Sequence, residues 1–347
     1  LLDDIKYIHD RDAQDALGIA EKQWQQYQYS FDFSWQPPQP IYEIIVAGMG
    51  GSGLAAKAYQ VAGDLHVPFS VVQDYSLPDR AGENTLLICS SYSGNTEEVL
   101  NVLDEALDED RSYPKPMIVV IASGGELLSR AKELNLPYLE LPNGYQPRFT
   151  FGYQYRALVE LFAQTPLVDG ETAQLEEAAD WLKDQMSDWT AAIPTARNPA
   201  KQLAQELMGR SPVVYAGPML APAAYKWKIS FNENAKNVAW YNILPEFNHN
   251  EFLGWTSHPV DKPYAVIDLR SELEHPRVQK RFEVTDRLLS GQRPAAHVVN
   301  ALGNTLIQQL LWTIAYGDFV SLYLALLNGL NPSPVDLIEK LKGELAK

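Results

Sequence analysis

The 347-residue chain has a single cysteine, Cys89, inside an apolar run that reads as a buried strand. One thiol excludes a disulfide framework and a cysteine-built metal site, and it fits a reducing compartment, so a cytoplasmic location is expected. Basic charge is also short. The 28 Lys and Arg stand against 44 Asp and Glu, a formal net charge of −16, whereas a protein that neutralises phosphates along a nucleic acid needs a basic face. Nucleic acid is therefore not an expected partner. No apolar stretch is read as approaching the roughly 20 residues that span a bilayer. The opening carries Asp3, Asp4 and Asp10 where a secretory signal is basic, so no membrane partner is expected either. The histidines, His9, His66, His249, His258, His275 and His297, show no tight metal spacing, and His249-Asn-Glu251 is not a zinc helix motif. No metal is expected.

What is present is ample apolar material, 46% of the chain, enough for two cores. Residues 1–36 read as a helical segment packed outside the main fold and closed by Trp35-Gln-Pro-Pro-Gln-Pro40. A first domain, 37–154, opens with the strand Ile44–Ala47, a glycine turn Gly48–Gly53 and an Ala-rich helix. Further strands are expected at Phe69–Val72, Thr85–Cys89 and Met117–Ile121. This is the grammar of a mostly parallel sheet flanked by helices, with its ligand site beyond the strand C-terminal ends. Residues 155–207 read as a helical connection, with Leu175, Ala178, Ala179 and Leu182 at helical spacing.

The strand grammar then restarts in a second domain, 208–347. Val213-Val-Tyr-Ala-Gly217 parallels Ile45-Val-Ala-Gly48, and later strands are expected at Ala265–Leu269 and Ala296–Val299. The fold class is thus α/β, two similar sheet domains from a diverged duplication. Pro218 replaces the glycine turn in the second copy, which is not expected to hold phosphate in the same way. A long apolar helix, 303–327, and a short terminal helix from Pro334 close the chain.

Two turns carry chemistry. Gly48-Met-Gly-Gly-Ser-Gly53 fits G-x-G-x-x-G after a strand, and Asp74 lies about 20 residues on, as a dinucleotide site requires. A tight turn alone also selects such glycines. Ser90-Ser-Tyr-Ser-Gly-Asn-Thr-Glu-Glu98 follows the next strand and precedes a helix. Hydroxyls at Ser91, Ser93 and Thr96 around a Gly-Asn turn sit where backbone N–H groups and the helix dipole favour an anion. One hydroxyl there would simply cap the helix, but three exceed that need. No lysine follows the glycines as a P-loop demands, which argues against nucleoside triphosphates.

These two turns, with Asp74-Tyr-Ser-Leu-Pro78 between them and Ser123-Gly-Gly125 after, resemble the SIS (sugar isomerase) domain of the phosphoglucose/phosphomannose isomerase family. The resemblance implies two SIS-type domains, and phosphate gripped by Ser52, Ser91, Ser93 and Thr96 with Gly50 and Gly51 allowing close approach. Pro147-Arg-Phe-Thr-Phe-Gly-Tyr153 is similar to the family's Pro-Arg segment, so Arg148 is expected over the reacting carbons, a permanent cation beside a developing enediolate. Phe231-Asn-Glu-Asn-Ala-Lys236 and Glu246-Phe-Asn-His-Asn250 also resemble the family. By that likeness Glu233 is the base that moves a proton between neighbouring carbons, and His249 opens the sugar ring. Partial burial in the ligand-bound state is expected to raise the Glu233 pKa. In Val335-Asp-Leu-Ile-Glu-Lys-Leu-Lys342, Lys342 matches the family's active-site lysine, with Lys340 as its fallback.

The resemblance further implies a homodimer with His249 supplied across the interface, no cofactor, and interconversion of fructose 6-phosphate with glucose 6-phosphate, mannose 6-phosphate or both through a cis-enediol. Two other readings stand beside it. One is a non-catalytic sugar-phosphate-binding SIS regulator, and the other, resting on the glycine turn and Asp74, is an NAD(P)-dependent oxidoreductase.

Overall fold

The computed structural model describes residues 1–345. It divides into two compact units, residues 22–182, and residues 1–21 together with the chain from 183 onward. The chain opens with two short helices, α1 (Ile5–Arg11) and α2 (Ala16–Glu21). In the first unit follow β1 (Glu43–Ala47), α3 (Gly50–Ala62), β2 (Phe69–Val72), β3 (Thr85–Ser91), α4 (Glu97–Leu107), β4 (Met117–Ala122), α5 (Gly125–Glu133), β5 (Tyr138–Glu140), α6 (Phe151–Ala163) and most of α7 (Glu171–Met186).

The five strands lie in the order β2-β1-β3-β4-β5, every neighbouring pair parallel. β3 and β4 are buried along their whole length, which explains the apolar runs Leu86–Cys89 and Met117–Ala122: with helices on both faces, neither face needs polar residues there. α4 turns Val99, Val102, Leu103 and Ala106 inward at helical spacing, onto Ile45, Leu87, Cys89 and Val120 of the sheet. Burial pushes the Cys89 thiol up to about 12, so it is a small apolar core residue and not a nucleophile. A second layer forms where Tyr59 of α3 meets Phe162 and Tyr155 of α6, ring centroids 4.8 and 5.7 Å apart. Because the chain runs β1 to β2 on one side and returns to β3 on the other, the crevice between the C-terminal ends of β1 and β3 is the topological switch point.

In the second unit α8 (Pro199–Glu206) leads into β6 (Ser211–Ala216), α9 (Ala221–Glu233), β7 (Trp240–Ile243), α10 (Glu251–Gly254), β8 (Tyr264–Arg270), α11 (Pro276–Leu288), β9 (His297–Asn300), α12 (Leu306–Leu327) and α13 (Asp336–Leu345). The sheet order is β7-β6-β8-β9, all parallel. This repeats the first sheet's plan without its last strand, and the repeat expected from Val213–Gly217 is realised by β6 taking the place of β1.

Several expectations need correction. Residues 1–36 are not one segment outside the main fold: α1 and α2 belong to the second unit, with Leu2, Ile8, Ala16, Leu17 and Ala20 buried. The Tyr7 hydroxyl donates to the Leu326 carbonyl at 2.7 Å, and Lys201 Nζ donates to the Leu2 carbonyl at 2.7 Å. Residues 155–207 are not a separate connection either, since α6 and most of α7 pack in the first unit and α8 in the second. The strands β5 and β7 were not anticipated, because one spans three residues and the other is a half-exposed edge strand with no apolar run. Finally, α12 is long and apolar enough to cross a membrane by length and composition, contrary to the reading that no such stretch exists. It is the core helix of the second unit: 94% of its most apolar window is buried, and Asp318 sits within it.

Candidate functional site

The glycine turn and the hydroxyl loop converge at the β1/β3 switch point of the first unit. The loop between β3 and α4 is held by its own side chains: Ser91 and Thr96 hydroxyls bond each other at 2.7 Å, the Gly94 N–H donates to Ser91 Oγ at 3.1 Å, and the Asn95 N–H donates to Ser93 Oγ at 3.3 Å. From the glycine turn, Ser52 Oγ accepts the Tyr92 N–H at 3.2 Å, which joins the two turns. Gly94 adopts φ +70°, and a Cβ there would fall 1.8 Å from the Gly124 carbonyl oxygen. Only glycine fits so close a passage in that conformation. The Leu127 N–H then donates to the Gly94 carbonyl and the Glu126 N–H to Asn95 Oδ1, both at 2.9 Å, so the start of α5 grips the loop.

Thr96 occupies the N-cap position of α4, yet its hydroxyl makes no capping hydrogen bond. It is turned to Ser91 instead, which rules out ordinary capping as the reason for that hydroxyl. Ser91 and Ser52 are buried, Thr96 is half-buried and Ser93 is exposed. Glu97 and Glu98 already place two carboxylates in the first turn of α4. An anion placed here would be held by neutral donors at close range and not by local net charge.

Gly50, at φ +49°, starts α3 with open space where its Cβ would lie. At Gly51 a Cβ would come 3.1 Å from the Pro147 carbonyl, so the glycine turn abuts the Pro-Arg segment. Arg148 is 2% exposed, not the surface arginine that its type alone suggests, with its guanidinium 4.6 Å from the Phe149 ring centroid. The Phe149 carbonyl accepts from Gln26 Nε2 at 2.7 Å, and the Thr150 hydroxyl donates back to the Pro147 carbonyl at 2.8 Å. A residue unnoticed in the sequence completes this frame. The Tyr92 hydroxyl donates to the Pro142 carbonyl at 2.9 Å and accepts the Tyr145 N–H at 3.1 Å. Burial holds that phenol above its ordinary range, so it stays protonated at neutral pH. The structure thus gathers Gly50, Gly51, Ser52, Ser91, Ser93, Thr96 and Arg148 in the first unit.

Glu233, His249 and Lys342 belong to the second unit. Glu233 is the last residue of α9 and is half-buried. Two residues of α9 and its C-cap Asn234, at four-residue spacing, fasten that helix to α12. Lys226 pairs with Asp318, the Ser230 hydroxyl donates to Asp318 at 2.8 Å, and Asn234 Nδ2 donates to Ser321 Oγ at 2.9 Å. A buried ion pair of this kind fixes an arrangement more than it adds stability. His249 is exposed at the end of the short 3-10 turn Glu246–His249. Lys342 is exposed on α13 and pairs with Glu339 of its own helix at 2.9 Å, while Lys340 is exposed beside it. Asp74, the residue on which a dinucleotide reading leans, is exposed and accepts the N–H of Tyr75.

Relatives of known name cover nearly all of this architecture. The chain is 34% identical over 311 residues to the bifunctional phosphoglucose/phosphomannose isomerase of Aquifex aeolicus, covering 89% of this chain and 92% of that protein. The chain belongs to the bifunctional phosphoglucose/phosphomannose isomerase family. The protein of the same name from Caldicellulosiruptor bescii is 31% identical over 313 residues, 89% of this chain and 91% of the relative. Residues 196–345 match the family described as the bacterial phospho-glucose isomerase C-terminal SIS domain. Among solved structures, a glucose-6-phosphate isomerase like protein from Thermus thermophilus superposes with a TM-score of 0.64 at 17% identity, covering 97% of this chain and 99% of that one, which shows the shared fold.

If Thr96 serves an anion and not its helix, Thr96→Val should weaken binding of inorganic phosphate about tenfold, roughly 1.4 kcal/mol. Its thermal stability should fall only by what the lost hydrogen bond to Ser91 contributes, about 1 kcal/mol. Calorimetric titration beside thermal denaturation checks both. Phosphate affinity left intact would contradict this, whatever the change in stability.

Proposed function

We propose that this chain is an aldose–ketose isomerase that interconverts fructose 6-phosphate with glucose 6-phosphate, mannose 6-phosphate or both through a cis-enediol. The carrying observation is the cluster of neutral donors at the β1/β3 switch point, with a Thr96 hydroxyl free of capping duty and a buried Arg148 in the adjoining segment. The names of the relatives, aligned over nearly the whole chain, support the reaction.

In this reading the backbone at Gly50 and Gly51 and the hydroxyls of Ser52, Ser91, Ser93 and Thr96 hold the sugar phosphate by one end, so that binding energy from a non-reacting group fixes the reacting carbons. His249, with Lys342, protonates and deprotonates the ring oxygen and the anomeric hydroxyl to open the ring. Glu233 removes the proton from one of carbons one and two and returns it to the other. Arg148 stabilises the oxyanion of the enediolate, a role that its permanent charge and dry surroundings suit. Glucose and mannose phosphates differ at carbon two, and that distinction is erased in the planar enediol. Acceptance of both then depends on which face Glu233 reprotonates, a difference of about 1–3 kcal/mol in pocket contacts.

The family likeness also carries the expectation of a homodimer with His249 supplied by the partner. It is supported by the exposure of His249 and by the exposed apolar residues Leu337, Leu341 and Leu345 on α13, which no packing among the described residues covers. A cytoplasmic site of action belongs to the same reading. Neither the regulator nor the oxidoreductase reading is favoured by these relatives.

Purified protein given fructose 6-phosphate in the presence of a metal chelator should form glucose 6-phosphate, mannose 6-phosphate or both. Glu233→Gln should lose roughly 10²–10⁴-fold in kcat with binding retained. An inert wild type that still binds the sugar phosphate would replace the isomerase with the regulator. For the composite site, Glu233→Gln and His249→Ala chains, each inactive alone, should regain activity on mixing and subunit exchange. Failure to regain any activity in demonstrated mixed dimers would place both residues in one subunit.

A further inference from the structure

The two sheets share one plan, so their turns can be compared place by place. β6 pairs with β8 as β1 pairs with β3. The loop after β3 presents the hydroxyls Ser91, Ser93 and Thr96. The corresponding loop after β8 runs Ser271-Glu-Leu-Glu274 and presents carboxylates. Of these, Glu274 is turned inward and is 4% exposed. Its carboxylate accepts the Met219 N–H at 2.8 Å, at the start of the helical run that continues into α9, with the Leu220 N–H, which donates to the Gly217 carbonyl at 3.2 Å, beside it. A Cβ at Gly217 would fall 2.3 Å from Glu274 Oε1, so the glycine ending β6 leaves room for the carboxylate. Glu274 is itself held in place. The Ser271 carbonyl accepts its N–H at 3.4 Å, and Gln279 Nε2 of α11 donates to its carbonyl at 2.8 Å.

We propose that Glu274 is a resident anion: in the second sheet its carboxylate fills the place that a phosphate takes in the first, and by binding the turn before α9 it positions the helix that ends in Glu233. Backbone N–H groups at a helix start attract an anion whether it is a phosphate or a side chain. In the first unit the site is left for a ligand, and in the second the chain supplies its own. One chain therefore binds one phosphate, and the second turn, relieved of ligand binding, becomes a fixed mount. Pro218, which has no N–H, fits a turn that needs fewer donors. The comparison rests on the phosphate reading of the first unit, whereas the resident-anion role can be tested without it. A hollow of about 510 Å³ lined by Arg270, Ser271, Glu274 and Asn300 gives a small anion access to this turn.

The test compares wild type, Glu274→Gln and Glu274→Ala as full chains in sodium chloride and in sodium acetate of equal ionic strength. Thermal midpoints and fructose 6-phosphate kinetics are read for each. Glu274→Ala should melt lower and lose about tenfold in kcat with little change in KM, because a mount and not a substrate contact has been removed. Acetate should raise its midpoint and restore part of its kcat beyond any effect on wild type. Glu274→Gln, equal in shape but uncharged, should show smaller losses. Wild-type midpoint and kcat in Glu274→Ala, or acetate acting equally on variant and wild type, would overturn the proposal. Should Glu274→Ala not fold, Glu274→Gln decides alone, and equality with wild type in both midpoint and kcat overturns it. The midpoint arm remains valid even if the wild type proves to have no isomerase activity, so the two readings fail separately.

Discussion

The passage of the Gly94 backbone against the Gly124 carbonyl is the constraint on which the geometry of the proposed phosphate site depends. With φ at +70° and no room for a Cβ, the loop after β3 is pressed onto the loop after β4, and its N–H groups and hydroxyls are forced into one small volume. In a chain of net charge −16 an anion site cannot rely on the general field of the protein. It has to be made from short-range donors, and short range demands that backbones approach where side chains would normally keep them apart. The same demand recurs at Gly51, against the Pro147 carbonyl, and brings the Pro-Arg segment beside the nest.

The second unit shows the other solution to the same topology. Parallel strands followed by helices always leave N–H groups at the C-terminal ends of the strands, and these need an acceptor. In one sheet they are the proposed site of a ligand. In the other a buried carboxylate meets them, and the helix so anchored is fastened again to α12 through Lys226, Ser230 and Asn234. Rigid placement of α9 suits the role proposed for Glu233, because proton transfer depends steeply on distance.

Much of this was legible in the sequence where local chemistry decides structure. The strands at Thr85–Cys89 and Met117–Ile121 are apolar because they are buried on both faces, and the glycine and hydroxyl turns between strands and helices mark the switch point. The parts that were not legible depend on distant neighbours. β7 has no apolar run because it is a half-exposed edge, and its existence is set by β6 beside it. The opening helices carry ordinary amphipathic patterns that do not name their partner, so their place in the second unit was missed. Tyr92 lay in full view between two serines, but its role comes from Pro142 and Tyr145, about fifty residues away in sequence. Glu274 gave no signal alone. Only the matching of β8 with β3 gives its carboxylate a meaning.

The central claim is that Glu233 moves a proton between carbons one and two of a sugar phosphate held by the hydroxyl nest. Its most direct test is isomerisation of fructose 6-phosphate in deuterium oxide, followed by NMR of the aldose phosphate at carbon two. A carboxylate base whose proton exchanges with solvent at the enediol stage predicts deuterium at carbon two with wild type and none formed with Glu233→Gln. Aldose product carrying deuterium at the same rate in Glu233→Gln would contradict the account, for the proton would then be moving through another group.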